Sequence, residues 1–462
     1  MAGGLIITAP RSGDGKTFLT LGLLRYFARH GVIVVAAKIG PDYIDPAFHA
    51  AASGQPCLSL DTWAMRPETV RSLVARLTAE SGLVVIEGVM GLFEGASGTT
   101  INTVADGSTA SIAMITGWPV IMVVDVRGQT VSAAATVQGF ARFHSNLRLA
   151  GVILNRVSGP HHVEAVRAAM ARHVPEVVVL GAIPEEARLK LSTRHLGLVQ
   201  ARELPDLDTF LERAADVVSR YVDLESLQTL ARPACLLLPP RPTDDLPVLL
   251  PLLGQRIAVA LDDAFTFVYP VVLKSWYERG AEIIPFSPLN NESPPASCDA
   301  VYLPGGYPEL HAGLLASNAR FMAGLRMAAS RSDVIFGECG GYMVLGHALV
   351  DIDGNQHSMS GVLPLSTSFA QKHLHLGYRV VTLMREGPLG STGIVFRGHE
   401  FHYATLLSEG PGEPLFSVTD ATGQPLGQAG LRCRNVMGSF IHLIDTVDHG
   451  YFCRPSSGRW RG

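Results

Sequence analysis

The chain has 462 residues, of which 47% are hydrophobic and 17% charged, and its formal net charge is −4. This length and apolar content predict a soluble globular protein with two or more domains. The near-neutral charge and the lack of a basic run exclude an electrostatic footprint for nucleic acid or anionic membrane, and favour a small-molecule partner.

The six cysteines form no C-x-x-C pair, so the sequence indicates neither a zinc site nor a disulfide framework. MAGGLIITAP lacks the features of a signal peptide, and no stretch approaches the roughly 18 apolar residues of a membrane span. We therefore expect a cytoplasmic protein.

In the first half of the chain, short apolar runs alternate with helical segments, which predicts βα units around a buried parallel sheet. Gly3 and Gly4, ahead of the first run, are expected to form a flexible terminus. The predicted strands are Leu5–Thr8, Val32–Ala37, Leu83–Glu87, Val120–Asp125, Gly151–Asn155 and Val177–Leu180, and the predicted helices include Phe18–His30 and Val131–Phe143.

Repeated prolines interrupt this pattern between about Asp223 and Gln255. We predict a first domain at 1–225, a proline-rich linker at 226–254, a second α/β domain at 255–450 and a tail at 451–462. Strands in the second domain are expected at Ile257–Leu261, Glu282–Phe286, Ala300–Leu303 and Val334–Phe336, before a strand-rich stretch from Gly377 to Leu443.

A glycine-rich loop in APRSGDGKTFLTLGLL follows the first strand and opens a helix, as a phosphate-binding loop requires. Backbone N–H groups and the helix dipole would hold the phosphates of ATP along Gly13, Asp14 and Gly15. Lys16 would reach the β and γ phosphates, and Thr17 would ligate magnesium. Pro10 stands where the usual motif has its first glycine.

Polar residues follow other strands at the same predicted sheet edge. Glu87 in EGVMGLFEG is a candidate magnesium ligand, with a helix cap or a solvated charge as the alternative. Asn155 is a weaker candidate for a purine contact. The loop KIGPDYIDPAFHAAASG is a candidate contact for substrate or magnesium, with turn chemistry as the alternative, through Lys38, Asp42, Tyr43, Asp45 and His49.

The second domain contains VIFGECGGYMVLG, where glycines surround Cys339 at a predicted strand-to-helix turn. This pattern is typical of an exposed nucleophile, and a helix N-terminus favours the thiolate; a buried structural cysteine is the alternative. Gly305 and Gly306 in YLPGGYPELH, with the N–H of Gly340, would form an oxyanion hole.

His442 in GSFIHL is the preferred base for Cys339, and His399 and His402 in FRGHEFHY are its rivals. The two-residue spacing of His399 and His402 would suit a metal pair on one face of a strand. No third ligand is evident, so we prefer substrate contact or structural roles for them.

Six segments in one order, GDGKT, GPDYIDPAFH, EGVMGL, LPGGYPELH, GECGGYM and RGHEFHY, resemble the cobyrinic acid and hydrogenobyrinic acid a,c-diamide synthases. The resemblance covers nearly the whole chain. It implies a P-loop doubly wound parallel-sheet domain of the dethiobiotin-synthetase type, followed by a class I glutamine amidotransferase domain.

The resemblance also implies a function: amidation of the a and c acetate carboxylates of a corrin precursor in cobalamin biosynthesis, using ATP, Mg²⁺ and glutamine. It assigns Cys339 as nucleophile, His442 as its activating residue, and Lys16 and Thr17 to ATP and magnesium. The corrin carboxylates would lie near Tyr43, Asp45 and Glu94. Asp45 is also a candidate magnesium ligand, and a homodimer is compatible with the family.

Two features leave alternatives open. Many class I glutaminases carry Glu two residues after the catalytic His, where this chain has Ile444, so a Cys–His dyad or help from Asp445 must be considered. The segment DYIDPAFHAAASGQPCLSLDTWAMRPE favours hydrogenobyrinic over cobyrinic acid as substrate. Cobyric acid synthase, a nickel-sirohydrochlorin amidating enzyme and a ParA/MinD-like ATPase switch are the competing interpretations, the last disfavoured by GECGG.

Overall fold

The computed structural model describes residues 2–79, 81–98, 105–185, 200–236 and 246–447. The backbone forms two compact units, one from 1–63 with 67–244 and one from 64–66 with 245–462. The predicted tail at 451–462 lies outside the described residues. Within those described ranges, no helix is long and apolar enough to cross a membrane.

The first unit is built on a parallel sheet with the strand order β3-β2-β4-β1-β5-β6-β7. Its strands are β1 Gly3–Thr8, β2 Val34–Ile39, β3 Leu58–Leu60, β4 Leu83–Glu87, β5 Val120–Asp125, β6 Leu149–Val157 and β7 Val178–Pro184. The helices are α1 Lys16–Arg29, α2 Asp45–Ser53, α3 Pro67–Ala79, α4 Thr109–Thr116, α5 Val131–Phe143, α6 Pro160–His173, α7 Leu207–Tyr221 and α8 Leu224–Leu230.

Helices cover this sheet, so the strands β2, β4 and β5 are buried along their whole length. Such burial is expected of a parallel sheet with apolar strands. Leu19, Leu23 and Phe27 of α1 pack into the same core as Ile7 and Val85 of the sheet. The parallel strands all end at one edge, so the loops after β1, β2, β4, β5 and β6 meet there. That edge carries the first candidate site.

Two expectations for this unit were wrong. Gly3 and Gly4 belong to β1, and a Cβ on Gly4 would lie 2.2 Å from the ring of Trp118, so glycine is needed for packing and not for flexibility. The chain also does not leave regular structure at 226: α8 continues to Leu230, and Arg232 bridges back to Gly4.

The second unit contains a mixed sheet with the order β21-β16-β15-β18-β19-β20-β11-β10-β8-β9. The pairs β9–β8, β8–β10, β10–β11 and β11–β20 are parallel, and the others are antiparallel. Its strands are β8 Arg256–Ala260, β9 Glu282–Phe286, β10 Ala300–Leu303, β11 Val334–Glu338, β15 His375–Leu383, β16 Val395–His402, β18 Glu413–Asp420, β19 Pro425–Cys433, β20 Val436–Ser439 and β21 Ile441–Thr446.

A second, smaller sheet and four helices complete this unit among the described residues. The sheet has the order β13-β12-β14-β17, from β12 Ala348–Val350, β13 Gln356–Ser358, β14 Leu365–Ser368 and β17 Thr405–Glu409. The helices are α9 Pro270–Glu278, α10 Ala312–Ser317, α11 Ala319–Ser330 and α12 Gly340–Leu345. Strand β11 lies in the parallel part of the large sheet and ends directly before Cys339.

Candidate active sites

The loop between β1 and α1 has a backbone that glycine adopts easily. Gly13 and Gly15 have φ values of 89° and 104°, in the left-handed region. Gly15 directly precedes α1, so the unpaired N–H groups of the first helical turn open onto this loop. Lys16 is buried, and its ammonium donates a hydrogen bond to the carbonyl oxygen of Met90. The loop thus has the features of a phosphate cradle.

Thr17 and Lys38 both bind Glu87, and Lys38 also binds Asp45. Oγ1 of Thr17 donates to Oε1 of Glu87 at 2.7 Å, and Glu87 is fully buried at the end of β4. Lys38 of β2 donates to the same Glu87 oxygen at 3.0 Å and to Oδ2 of Asp45 at 2.6 Å. The three oxygen-bearing residues that the sequence nominated for magnesium therefore lie in one cluster.

His49 on α2 is the second cation beside Glu87, with Nε2 2.6 Å from Oε2 of the carboxylate. Burial alone would lower the pKa of His49, but contacts with Cys57 and Glu87 raise it to about 10. Burial would raise the pKa of Glu87, yet Lys38 and His49 hold it well below its usual range. Glu87 is consequently an ionised carboxylate shared by two buried cations.

The proposed substrate contacts differ in how the structure uses them. Oδ1 of Asp42 accepts the N–H groups of Ile44 and Asp45 at 2.9 and 3.0 Å, so this side chain shapes the turn into α2. Tyr43 is half-buried in the same turn. Glu94 is exposed, and a Cβ added to Gly91 would lie 2.1 Å from its carboxylate and 2.8 Å from the carbonyl oxygen of Pro10. Glu94 is thus close to the phosphate loop.

Asn155 braces the phosphate loop from the end of β6. Its Nδ2 donates to the carbonyl oxygen of Asp14 at 2.7 Å, and a Cβ on Gly15 would lie 2.3 Å from that nitrogen. The Asp14 side chain pairs with Nε of Arg11 at 3.1 Å. Asn155 therefore lies at the predicted site, and a purine contact stays a prediction.

A sharp turn carries Cys339 between β11 and α12. Cys339 has φ 48° and ψ −106°, a strained backbone for a residue with a side chain. Its N–H donates to the carbonyl oxygen of Ser439 at 2.8 Å. A Cβ on Gly341 would lie 2.0 Å from the carbonyl oxygen of Leu303, so the turn needs glycine there. This is the geometry expected of a nucleophile elbow.

Gly305 brings the other members of the predicted site together. A Cβ added there would lie 3.2 Å from Cβ of Cys339 and 2.3 Å from Cε1 of His442. A Cβ added to Gly340 would lie 3.1 Å from the backbone nitrogen of Gly306. The nucleophile, the base and the three predicted oxyanion-hole glycines are therefore neighbours.

Burial shifts the pKa of the thiol and the pKa of the imidazole in opposite directions, and both shifts favour the neutral form. Burial raises the pKa of Cys339, and the carboxylate of Glu309 raises it further, while the N–H of Gly340 lowers it. Burial lowers the pKa of His442 to about 3. The sequence predicted that the helix N-terminus favours the thiolate, whereas burial of Cys339 opposes that ionised form, so the thiolate stays a prediction. A neutral imidazole remains able to accept the thiol proton.

His402 does have neighbours of the kind that bind metals, contrary to the sequence-based expectation. Ligand atoms of His375, Glu400 and His402 all lie within 4.8 Å of one another. The rings of His375 and His402 are stacked at 9°, however, so their in-plane lone pairs do not converge. Glu400 is also paired with Arg379 at 2.7 Å. This geometry favours stacking and ion pairing over a metal centre. His399 lies opposite His442 across the β16–β21 ladder.

Neither position suggested by the sequence supplies an obvious third member of a triad. Ile444 is fully buried and has no ionisable group. Nη2 of Arg66 lies 2.8 Å from Oδ1 of Asp445, and the backbone N–H of Arg66 donates to Oδ2 at 2.9 Å. Asp445 is therefore engaged with Arg66 within the second unit.

Two buried acids were not predicted as site residues from the sequence. Asp125, at the end of β5, pairs with Arg127 at 2.7 Å and Arg156 at 2.6 Å. Glu338, next to Cys339, is buried and accepts hydrogen bonds with both carboxylate oxygens. The available signal for both was an acid at, or two residues beyond, the carboxyl end of a predicted strand, as it was for Glu87.

Two family models match the chain: the CobQ/CobB/MinD/ParA nucleotide binding domain at residues 5–199 and the CobB/CobQ-like glutamine amidotransferase domain at residues 256–448. A hydrogenobyrinate a,c-diamide synthase from Brucella anthropi is 50% identical to this chain, and the alignment covers 96% of this chain and 98% of the relative. The chain belongs to the hydrogenobyrinate a,c-diamide synthase family. A relative of the same name from Rhizobium meliloti is 48% identical, with coverages of 96% and 99%.

Membership of the hydrogenobyrinate a,c-diamide synthase family makes the chain a glutamine-dependent, amide-forming ligase of cobalamin biosynthesis with small-molecule substrates. Its first domain binds nucleotide. The predicted family and fold class are confirmed. Among solved structures, the MinD cell division protein of Aquifex aeolicus is 15% identical to this chain, and the match covers 50% of this chain and 95% of that protein with a TM-score of 0.30.

Proposed function

We propose that the protein amidates the a and c acetate carboxylates of hydrogenobyrinic acid, using ATP and glutamine, through an acyl-phosphate intermediate. The observation that carries this proposal is the 50% identity, over 96% of the chain, to a protein named hydrogenobyrinate a,c-diamide synthase. Cobyrinic acid is the alternative substrate. A cytoplasmic location and a homodimer stay predictions.

The synthetase half of the reaction belongs to the phosphate loop. The N–H groups at the start of α1 hold the phosphates of ATP, and Lys16 stabilises charge on the γ-phosphoryl as it passes to a substrate carboxylate. Ammonia then attacks the acyl carbon, phosphate leaves, and an amide remains. The clustering of Lys16, Thr17, Lys38 and Glu87 at one sheet edge supports this assignment.

Magnesium suits the oxygen ligands present in the same cluster. Thr17 contributes a hydroxyl, and Glu87 and Asp45 contribute carboxylates, which are hard ligands that Mg²⁺ prefers. Burial and the neighbouring Asp42 and Glu87 raise the pKa of Asp45 to about 6 against the opposing effect of Lys38, so added positive charge would favour its ionised form. When bound, the ion would neutralise charge on the phosphates. Thr17, Glu87 and Asp45 are the residues that would hold it.

In the glutaminase half, the thiol of Cys339 attacks the side-chain carbonyl carbon of glutamine. His442 takes the thiol proton and delivers it to the departing ammonia, which leaves a thioester. The N–H groups around Gly305, Gly306 and Gly340 stabilise the oxyanion. Water then hydrolyses the thioester to glutamate with His442 as base. The proximity of Gly305 to both Cys339 and His442 supports these roles.

The division of labour is tested by Cys339→Ala. We expect this variant to lose glutamine-dependent amidation, by more than about 100-fold, because nothing replaces the nucleophile. Synthesis from added ammonium salt should stay within about 3-fold of the wild type. Product formation would be followed by mass spectrometry with each nitrogen donor. Equal loss with glutamine and with ammonium would contradict the assignment.

As a control, Cys298→Ala changes a buried cysteine far from the elbow in sequence and should keep both activities.

A further inference from the structure

Glu338 is a buried acid at the last position of β11, immediately before Cys339. Only 2% of its surface is exposed, and both carboxylate oxygens accept hydrogen bonds. Oε2 accepts the hydroxyl of Tyr302 at 2.6 Å, and Oε1 accepts the backbone N–H of Leu443 at 2.9 Å. Leu443 directly follows His442, so one carboxylate links the neighbour of the nucleophile to the neighbour of the base.

The path of the backbone explains why such a link is useful. β20 runs beside β11 as far as the pairing of Ser439 with Glu338. At Phe440 the chain turns away, and β21 pairs with β16 instead. The strand that carries His442 therefore has no ladder pairing with β11 in the described structure. The Glu338 carboxylate spans that divergence with a side-chain hydrogen bond.

Burying a carboxylate is unfavourable unless hydrogen bonds compensate for lost hydration. Burial raises the pKa of Glu338 to about 7, and the bonds from Tyr302 and Leu443 oppose the rise. An apolar residue would pack at this strand position without such a cost. Alignment of His442 with Cys339 is a benefit that an apolar residue at 338 does not provide.

We propose that Glu338 is a positioning residue of the glutaminase reaction, which holds the His442 backbone at the distance from Cys339 that proton transfer requires. It acts through the backbone N–H of Leu443, the residue that follows His442. This inference rests on the proposed roles of Cys339 and His442. Misplacement of a reacting group by about 1 Å costs on the order of 100-fold in rate.

The test compares three variants in glutamine hydrolysis. Glu338→Leu keeps a side chain of similar bulk but accepts no hydrogen bond, and should lower kcat about 30- to 100-fold with little change in KM. Glu338→Gln keeps an acceptor oxygen for Leu443 and should stay within about 5-fold of the wild type. Tyr302→Phe removes the other hydrogen bond to the same carboxylate and should also stay within about 5-fold.

Ammonium-dependent synthesis and the thermal midpoint serve as controls for folding. Glu338→Leu with glutaminase kcat within about 3-fold of the wild type would overturn the proposal, as would equal losses in Glu338→Leu and Tyr302→Phe. If Glu338→Leu does not fold, a folded Glu338→Gln variant with a loss above about 30-fold would overturn it instead. Wild type and Cys339→Ala are measured in the same assay. If the proposed role of Cys339 is wrong, these two proteins should hydrolyse glutamine at equal rates. If only the role of Glu338 is wrong, Cys339→Ala should still lose glutamine hydrolysis.

Discussion

Lys16, Lys38 and His49 bring three cationic side chains to the buried edge of the first sheet, and the partner of Lys16 differs from that of the other two. The ammonium of Lys16 is bound to a backbone carbonyl and has no direct carboxylate partner among the described contacts, whereas Lys38 and His49 share Glu87. Burial lowers the pKa of Lys16. Lys16 is therefore the cation best placed to respond to an incoming phosphate.

We predict that Lys16→Met lowers amidation by more than about 100-fold with either nitrogen donor, because the transferring phosphoryl group loses its stabilising charge. Glutamine hydrolysis should stay near the wild-type rate. The matched control is Arg29→Met, which removes a cation from the far end of the same helix. Coupled assays for phosphate and glutamate would separate the two activities, and unchanged phosphate release by Lys16→Met would refute the assignment.

The His49–Glu87 pair predicts a pH-dependent contribution to stability. The pKa of His49 is raised to about 10, from an unfolded value of about 6.5, so the folded state binds more protons between these limits. The contribution of charged His49 to the free energy of unfolding is fully present below pH 6.5 and is lost as the pH rises toward 10. The free energy of unfolding of His49→Gln should therefore differ most from the wild type at low pH.

Urea unfolding at pH 6.5 and pH 9.5 measures this difference directly. The difference in the free energy of unfolding between wild type and His49→Gln should be smaller at the higher pH. His161→Gln, at an exposed position, is the control and should show a small gap at both values. A His49 gap that is the same at both pH values would show that the imidazole is not charged in the folded protein.

At the scale of elements, strand prediction succeeded where the apolar runs had clear boundaries in the sequence. β4, β5, β9, β10 and helix α5 have the bounds that the apolar pattern gave. Prediction failed where tertiary packing decides. Gly4 has no apolar side chain to mark a strand, but Trp118 lies against its backbone. The four-stranded sheet consists of strands of three to five residues, too short for a periodic signal.

Gly4→Ala tests the packing of β1 against Trp118. The added Cβ would lie 2.2 Å from the indole, so the ring or the strand must shift, and we expect a loss of about 1–3 kcal/mol in the free energy of unfolding. Gly82→Ala is the matched control, because its Cβ would meet no atom closer than 3.6 Å. Denaturant unfolding would compare the two. Equal stability of both variants would show that Trp118 is not packed as described.

At the scale of the whole molecule, the order of the motifs was enough to predict both reaction centres, because each motif includes the strand, turn and helix pattern around its functional residues. Cys339, Gly305 and His442 come from three separate segments, and the structure brings them together. The link from Glu338 to Leu443 spans 105 residues and depends on how β20 and β21 diverge, so no local pattern predicts it. The raised pKa of the Cys339 thiol likewise depends on burial, which the sequence does not show.

The most direct test of the account is mass spectrometry of hydrogenobyrinic acid, and separately of cobyrinic acid, after incubation with the purified protein, MgATP and glutamine. We expect two amidations of hydrogenobyrinic acid, release of phosphate and glutamate, and no product when ATP is omitted. Two amidations of cobyrinic acid alone would correct the substrate. ATP hydrolysis without amidation of either compound would contradict the proposed function.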